Sequence, residues 1–180
     1  MAKSLQKIAI IGNTGGGKTT LARRLAKLHG LPVTHVDSVQ FLPGMKIRPH
    51  AQSIEILDEV QTQDEWIIDG YGPLDILEER LGLADQIVML DFPLWHHAWW
   101  CTKRQLKNYW SPRAELPAGC SETSWAQTRK LFKTLKTVHE KMRPEMLRIL
   151  QRPELAPKVI YIRNKKQWNQ IFDEGLRASI

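Results

Sequence analysis

The sequence is poor in cysteine, with two in 180 residues, Cys101 and Cys120. They show no paired spacing and are too few for a framework, which argues against a disulfide scaffold. Long apolar runs are also missing. The stretch richest in aromatics, Trp95 to Trp100, is broken by His96 and His97, so nothing approaches the length needed to span a bilayer. The run Ile8 to Ile11 is cut short by Gly12 and does not read as a signal peptide. The expectation is a cytoplasmic protein with no membrane partner. No repeat, low-complexity tract or linker divides the chain, and its length suits one domain over residues 1–180. Zinc-finger, RNP and basic-zipper patterns are absent as well. The formal net charge of +7 suits an anionic ligand; nucleic acid is a possible partner but is not required.

Against these absences stands one dense motif. Gly12-Asn13-Thr14-Gly15-Gly16-Gly17-Lys18-Thr19 fills the Gly-x-x-x-x-Gly-Lys-Ser/Thr template at every fixed position. Lys7-Ile8-Ala9-Ile10-Ile11 precedes it as a buried strand, and Leu21, Leu25 and Leu28 follow at helical spacing. Strand, glycine loop and helix make a phosphate cradle of backbone N–H groups and a helix N-terminus. Gly12 to Thr19, with Thr20, are the expected nucleoside-triphosphate contacts. Lys18 reaches the β- and γ-phosphates, and the Thr19 hydroxyl ligates Mg²⁺.

Further along, strands are expected at Val33 to Asp37, Trp66 to Asp69, Gln86 to Asp91 and Lys158 to Ile162. Helices are expected at about 51–63, from Pro73, at about 94–108, at 125–142, at 144–150 and from Lys165. Apolar strands alternating with amphipathic helices give a parallel sheet covered on both faces. Ligands bind such sheets beyond the carboxyl ends of the strands, where Asp37, Asp69, Asp91 and Arg163 fall.

Two classes of phosphate-binding protein compete. A GTPase-type switch finds Asp69-Gly70-Tyr71-Gly72 and Asn164-Lys165-Lys166-Gln167, but the neutral Gln167 cannot offer guanine the paired acceptor oxygens of a carboxylate. A small-molecule kinase fits better. The Walker loop, His35-Val36-Asp37-Ser38, Asp64-Glu65-Trp66-Ile67-Ile68-Asp69-Gly70 and Val88-Met89-Leu90-Asp91-Phe92-Pro93 follow one another as in adenylate-kinase-like proteins. Nearly the whole chain resembles the bacterial DNA topology modulation (FlaR-type) family. That resemblance implies a three-layer P-loop NTPase fold, α/β, with a five-stranded parallel sheet of order 2-3-1-4-5, helices on both faces and a small lid. It also implies ATP binding and phosphotransfer. A nucleotide-dependent nucleic-acid-binding or regulatory protein is the rival from another class.

Roles follow for individual residues. Asp69 or Asp91 can hold a Mg²⁺ water opposite Thr19, with Asp69 preferred and the other capping a helix. In the related shikimate- and nucleoside-kinase folds an acidic residue at the place of Asp37 receives a substrate hydroxyl; capping the following turn is the alternative. Arg48 can grip an anionic group of the acceptor. Ser111-Pro112 to Ser124 reads as part of a lid at about 109–125, to which Arg104 and Arg113 bring guanidinium groups for the transferring phosphoryl. Arg163 follows strand five, where related kinases pack the adenine, and can stack on the base. Trp95 and Trp99 sit four apart and are expected to pack in the core, with a stacking wall for a substrate as the alternative. A zinc site from Cys101, Cys120 and His96 or His97, as some adenylate kinases have, lacks the close cysteine pair.

Overall fold

The structure is a computed structural model that describes residues 5–108 and 125–176. Its order is β1 (Lys7–Gly12), α1 (Lys18–His29), β2 (Val33–His35), α2 (Val36–Gln40), α3 (His50–Thr62), β3 (Trp66–Asp69), α4 (Leu77–Leu83), β4 (Gln86–Leu90), α5 (Leu94–Asn108), α6 (Trp125–Thr137), α7 (Arg143–Leu150), β5 (Val159–Ile162) and α8 (Lys165–Glu174). The five strands form one parallel sheet in the order β2-β3-β1-β4-β5. The central strands β1, β3 and β4 read as continuous apolar runs because both of their faces are covered.

Alternation along these strands sorts the core into two layers. Ala9, Ile11, Trp66, Ile68, Ile87 and Met89 face one way, against Leu57 of α3, Leu77 and Leu81 of α4, and Met146, Ile149 and Leu150 of α7. Ile8, Ile10, Ile67, Val88 and Leu90 face the other way, against Leu21 and Leu25 of α1 and Trp168 of α8. Successive strand side chains point to opposite faces, so short runs of Ile, Val and Leu build both layers.

Three details differ from expectation. β2 ends at His35, and Asp37 lies in the first turn of α2 rather than on the strand. As an edge strand β2 pairs only with β3 through residues 33–35; beyond that Val36 and Val39 turn into the core. The Phe41 to Gly44 turn is part of a small antiparallel ribbon, Phe41–Leu42 with Lys46–Ile47. The helices at 125–137 and 143–150 are joined by a π-helical turn, Val138–Met142. Pro144 lies in the first turn of α7, directly after the π-helical turn; lacking an N–H, it cannot continue the hydrogen-bond ladder of the helical turn before it. The expected lid segment falls outside the described residues over 109–124. Among the described residues, no helix is long and apolar enough to cross a membrane.

Charge is distributed unevenly. Neither α5 nor α6 contains an aspartate or glutamate, while Lys103, Arg104, Lys107, Arg129, Lys130, Lys133 and Lys136 lie on them. These two packed helices therefore carry a positive charge equal to the whole chain's net +7; everything else balances.

Candidate functional site: the phosphate-binding loop and the carboxyl ends of the strands

The loop 12–17 leaves β1 at the centre of the sheet and delivers Lys18 as the first residue of α1. Its back is packed against α5. A Cβ on Gly15 would lie 2.6 Å from Cys101 Sγ and 2.8 Å from the His97 carbonyl oxygen, at a φ of +72°. Glycine is therefore needed there for both backbone conformation and space. The His97 ring lies behind Gly16, and its Nδ1 donates to the Thr14 carbonyl at 3.0 Å. Asn13 is buried as well. Its amide donates to the Leu135 carbonyl of α6 at 2.9 Å, and its Oδ1 accepts the Thr14 N–H at 2.8 Å. Among the expected nucleotide contacts, Asn13 thus turns its side chain toward α6, while its carbonyl accepts from Lys18 Nζ at 3.0 Å.

Its surroundings hold the His97 ring neutral. It is 2 % exposed, and burial first, then the Lys18 ammonium, pushes its pKa down to about 4. The unfolded imidazole, near 6.5, takes up a proton before the folded one does, so stability falls as pH drops through that interval. The expected loss is about 3 kcal/mol between neutrality and pH 4. Urea melts of the wild type and His97→Gln across this range check it. The glutamine amide can still donate to Thr14, so the variant should show a shallower acid loss; parallel curves would refute the assignment.

At the reacting end three strands converge. Register sets Asp69 beside both Ile10 of β1 and His35 of β2. Asp69 is 5 % exposed. Its Oδ2 accepts from the Thr19 hydroxyl at 2.7 Å and lies 3.0 Å from His35 Nδ1. Oδ1 is buried and has no hydrogen-bond partner among the described residues. A buried carboxylate oxygen facing no donor is costly on its own, and a hydrated cation beside Thr19 is the kind of group that satisfies it. The residues present fit Mg²⁺: an oxygen donor set of one hydroxyl and one carboxylate, in the arrangement this small hard ion accepts.

Asp91, the other metal candidate, is differently engaged. Its carboxylate takes a two-point contact from Arg143, Nε to Oδ1 and Nη2 to Oδ2 at 3.1 Å, with Arg163 Nε 3.6 Å away. A fork-to-fork pair of this kind leaves little of the carboxylate for a cation. Asp91 is neither brought to Thr19 nor used as a helix cap; it anchors α7 to the end of β4.

Other expected residues divide similarly. Arg48 directs Nε to the Val39 carbonyl at 2.7 Å, closing the ribbon after α2. The exposed Arg163 lies over the Tyr161 ring, 5.1 Å from its centroid. The α8 N-terminus is capped by Asn164, whose Oδ1 accepts the Gln167 N–H at 2.9 Å, while Gln167 Oε1 accepts the Arg163 N–H at 2.8 Å. Both side chains of the guanine-reading pattern are thus engaged in a reciprocal helix cap. Arg113 and the side chain of Arg104 lie outside the described residues, as does Cys120. Among the described residues no His, Cys, Asp and Glu cluster could hold a metal as a three-ligand site, and Cys101 instead packs behind Gly15. The core placement expected for Trp95 and Trp99 is overturned: they are 70 % and 54 % exposed. Their face of α5 is the one opposite His97 and Cys101, which already fill the side toward the loop.

Sequence reading missed three residues: His35, His97 and Arg80. Of these Arg80 left a trace, since it occupies a buried-face position between Leu77 and Leu81. His97 left none, because two adjacent histidines among tryptophans do not reveal which one turns inward.

Residues 6–75, from β1 to the turn after Asp69, match the family model for isopentenyl transferase. No curated protein matches the chain in sequence. Its fold is similar to that of a shikimate kinase from Acinetobacter baumannii, solved in complex with shikimate, at 16% identity and a TM-score of 0.57 over 95% of this chain and 94% of that one. A gluconokinase from Sinorhizobium meliloti gives 15% and 0.54, over 97% and 91%. A shikimate kinase from Bacteroides thetaiotaomicron gives 16% and 0.50, over 94% and 99%. The chain has the fold of P-loop kinases, with the sheet order 2-3-1-4-5.

Proposed function

We propose that this protein is a P-loop phosphotransferase that moves the γ-phosphoryl group of ATP to a small hydroxyl- or phosphate-bearing acceptor. The observation that carries the reading is the convergence of Lys18, Thr19, His35 and Asp69 at the carboxyl ends of β1, β2 and β3, with one Asp69 oxygen unpartnered among the described residues. The kinase neighbours in fold, one of them solved with shikimate bound, support a small-molecule acceptor. Residues 1–180 act as one domain, with a lid at about 109–125, in the cytoplasm.

The chain's own groups supply alignment and charge. Backbone N–H groups of residues 15–19 cradle the polyphosphate at the α1 N-terminus. The Lys18 ammonium leaves the Asn13 carbonyl for the β- and γ-phosphates. Asp37 holds the acceptor hydroxyl and takes its proton as the oxygen bonds to the γ-phosphorus and the bond to the β–γ bridging oxygen breaks, releasing ADP. Arg104 and Arg113 neutralise charge on the equatorial oxygens, Arg48 grips an anionic group of the acceptor, and Arg163 lies along the base. Mg²⁺ on the Thr19 hydroxyl, and through water on Asp69, would supply charge neutralisation of the polyphosphate.

The match of residues 6–75 to isopentenyl transferase favours a second reading, in which the same cradle holds the diphosphate of a prenyl donor. One assay separates the two. ADP release from Mg-ATP is measured against nucleosides, nucleotides, sugars and hydroxy acids, and diphosphate release from an isopentenyl-type diphosphate with the same acceptors. Acceptor-stimulated ADP release is expected, reduced about a hundredfold or more in Lys18→Ala and Asp37→Ala. Lys18→Ala also loses ATP-dependent thermal stabilisation while keeping its fold. Diphosphate release without ADP release would give the second reading precedence. An oligonucleotide that alone changes turnover in a salt-sensitive manner would bring forward the basic face of α5 and α6.

A further inference from the structure

Arg80 has no assigned role, and it is an unusual residue to find where it lies. It is 0 % exposed, on the face of α4 that carries Leu77 and Leu81 into the core. Its Nη1 donates to the carbonyls of Gly70 at 3.3 Å and Tyr71 at 3.0 Å. Among the described residues Nε and Nη2 are buried without hydrogen-bond partners, and no carboxylate pairs with the guanidinium. Burial lowers its pKa to about 10, which still leaves it charged at neutral pH. A charge with no counter-ion and two unmade donors is a structural liability in an apolar layer.

What it touches is the turn that directly follows Asp69. The Gly70 N–H donates to the Ile10 carbonyl at 2.9 Å, extending the β1–β3 pairing by one residue. The Gly70 carbonyl is taken by Arg80 from the far side. On the third side the turn presses against α2, since a Cβ on Gly70, at a φ of +121°, would stand 2.9 Å from Val36 Cβ. The peptide after Asp69 is thus held by a strand, a helix and one guanidinium. Two of these restraints come from the backbone and core packing. Only the third depends on a side chain that the core would otherwise exclude.

We infer that Arg80 is a positioning residue: by holding the Gly70 and Tyr71 carbonyls it fixes the orientation of the Asp69 carboxylate toward Thr19 and the metal. The inference rests on the proposed metal role of Asp69. It asks the core to carry an uncompensated cation so that a carboxylate one turn away keeps its direction. Supporting residues behind metal ligands commonly affect metal affinity by about 10–100-fold. A methionine fits the same apolar seat between Leu77 and Leu81 without the charge, and replacing buried ionic groups by apolar ones of similar volume is often neutral or stabilising.

The test measures ADP affinity by titration with Mg²⁺ and with EDTA, alongside the melting temperature, in the full chain. The readout is the gain in affinity that Mg²⁺ confers. For Arg80→Met the affinity in EDTA is expected to stay within about twofold of wild type and the variant to remain folded, the relief of a buried cation offsetting the loss of a donor to two carbonyls, while the Mg²⁺ gain drops about tenfold. Arg80→Lys, which can reach one carbonyl but not span both, should lose less. Asp69→Asn is the control. If that variant loses the gain and Arg80→Met keeps it, Arg80 is only a core residue and the inference fails alone. If Asp69→Asn itself keeps the gain, the metal role of Asp69 fails and takes this inference with it. Should Arg80→Met not fold, an unaltered Mg²⁺ gain in Arg80→Lys overturns the inference and a partial loss supports it.

Discussion

Asp69→Asn is expected to lower acceptor-dependent turnover of Mg-ATP by about 10²–10³-fold, the size of effect seen when one preorganised charge-stabilising group is removed from a phosphoryl- or acyl-transfer site. Stability should hardly change. Asparagine keeps an oxygen for the Thr19 hydroxyl and the His35 ring, which lie 2.7 and 3.0 Å from Asp69 Oδ2. Its amide replaces the oxygen that has no partner, exchanging an orphaned acceptor for an orphaned donor while removing a buried charge. These effects oppose each other, so a net change of no more than about 1 kcal/mol is expected. Steady-state kinetics with varied Mg²⁺, paired with thermal melting, measures both. The informative result is the split between them. A variant that stays folded and active would return the metal to some other carboxylate, and Asp91, locked to Arg143, would have to break that pair to serve. Asp91→Asn is therefore the internal contrast, expected to loosen α7 rather than to change the dependence on Mg²⁺.

The legibility of this site in the sequence has a physical boundary. Features set by backbone geometry over a few residues were readable. The glycine loop, the strand before it and the helix after it are local, and the apolar runs of β1, β3 and β5 ended where the chain turns to the carboxyl edge of the sheet. Asp69 could be preferred to Asp91 because a resemblance put its strand beside β1, and the register of Ile10 with Asp69 agrees. What was not readable depends on which distant side chain fills a given space. The engagement of Asp91 rests on Arg143, 52 residues away. The tie between Asn13 and Leu135 spans 122 residues. Helical spacing correctly put Trp95 and Trp99 on one face of α5 but gave no sign of which face turns inward. His97 and Cys101 decide that, because a flat ring with a donor and a small sulfur fit closely behind Gly15 and Gly16. The end of β2 at His35 was equally hidden, since an edge strand stops when its neighbour stops pairing, not when its own β-propensity runs out.

Gly12→Ala should have the largest effect on folding, and its cause differs from what the motif suggests. As the first glycine of the loop it is read as a phosphate residue. In the structure it still belongs to β1, paired with Leu90 of β4. A Cβ there would stand 2.6 Å from the Leu90 carbonyl oxygen, 2.9 Å from Leu90 Cβ and 3.2 Å from its carbonyl carbon, at a φ of +137°. Two of the three obstacles are backbone atoms of a central strand, which cannot move without separating β1 from β4. The φ is one that a residue with a side chain rarely adopts, so relief by rotation is closed as well. Overpacking of this kind costs about 1–3 kcal/mol and backbone strain about as much again. A combined loss near 4 kcal/mol corresponds to a fall of about 8–16 °C in melting temperature for a chain of this size. Chemical denaturation and calorimetry of Gly12→Ala against Gly44→Ala set the scale, because a Cβ on Gly44, also at positive φ, meets nothing within 4 Å. Gly44→Ala isolates the conformational penalty, roughly 1 kcal/mol. If the two variants were equally destabilised, the close approach of β1 and β4 would carry no energy. If Gly12→Ala is far worse, the loop's first glycine is required by the sheet before any phosphate binds, and loss of nucleotide binding in that variant reports an unseated strand rather than a missing contact.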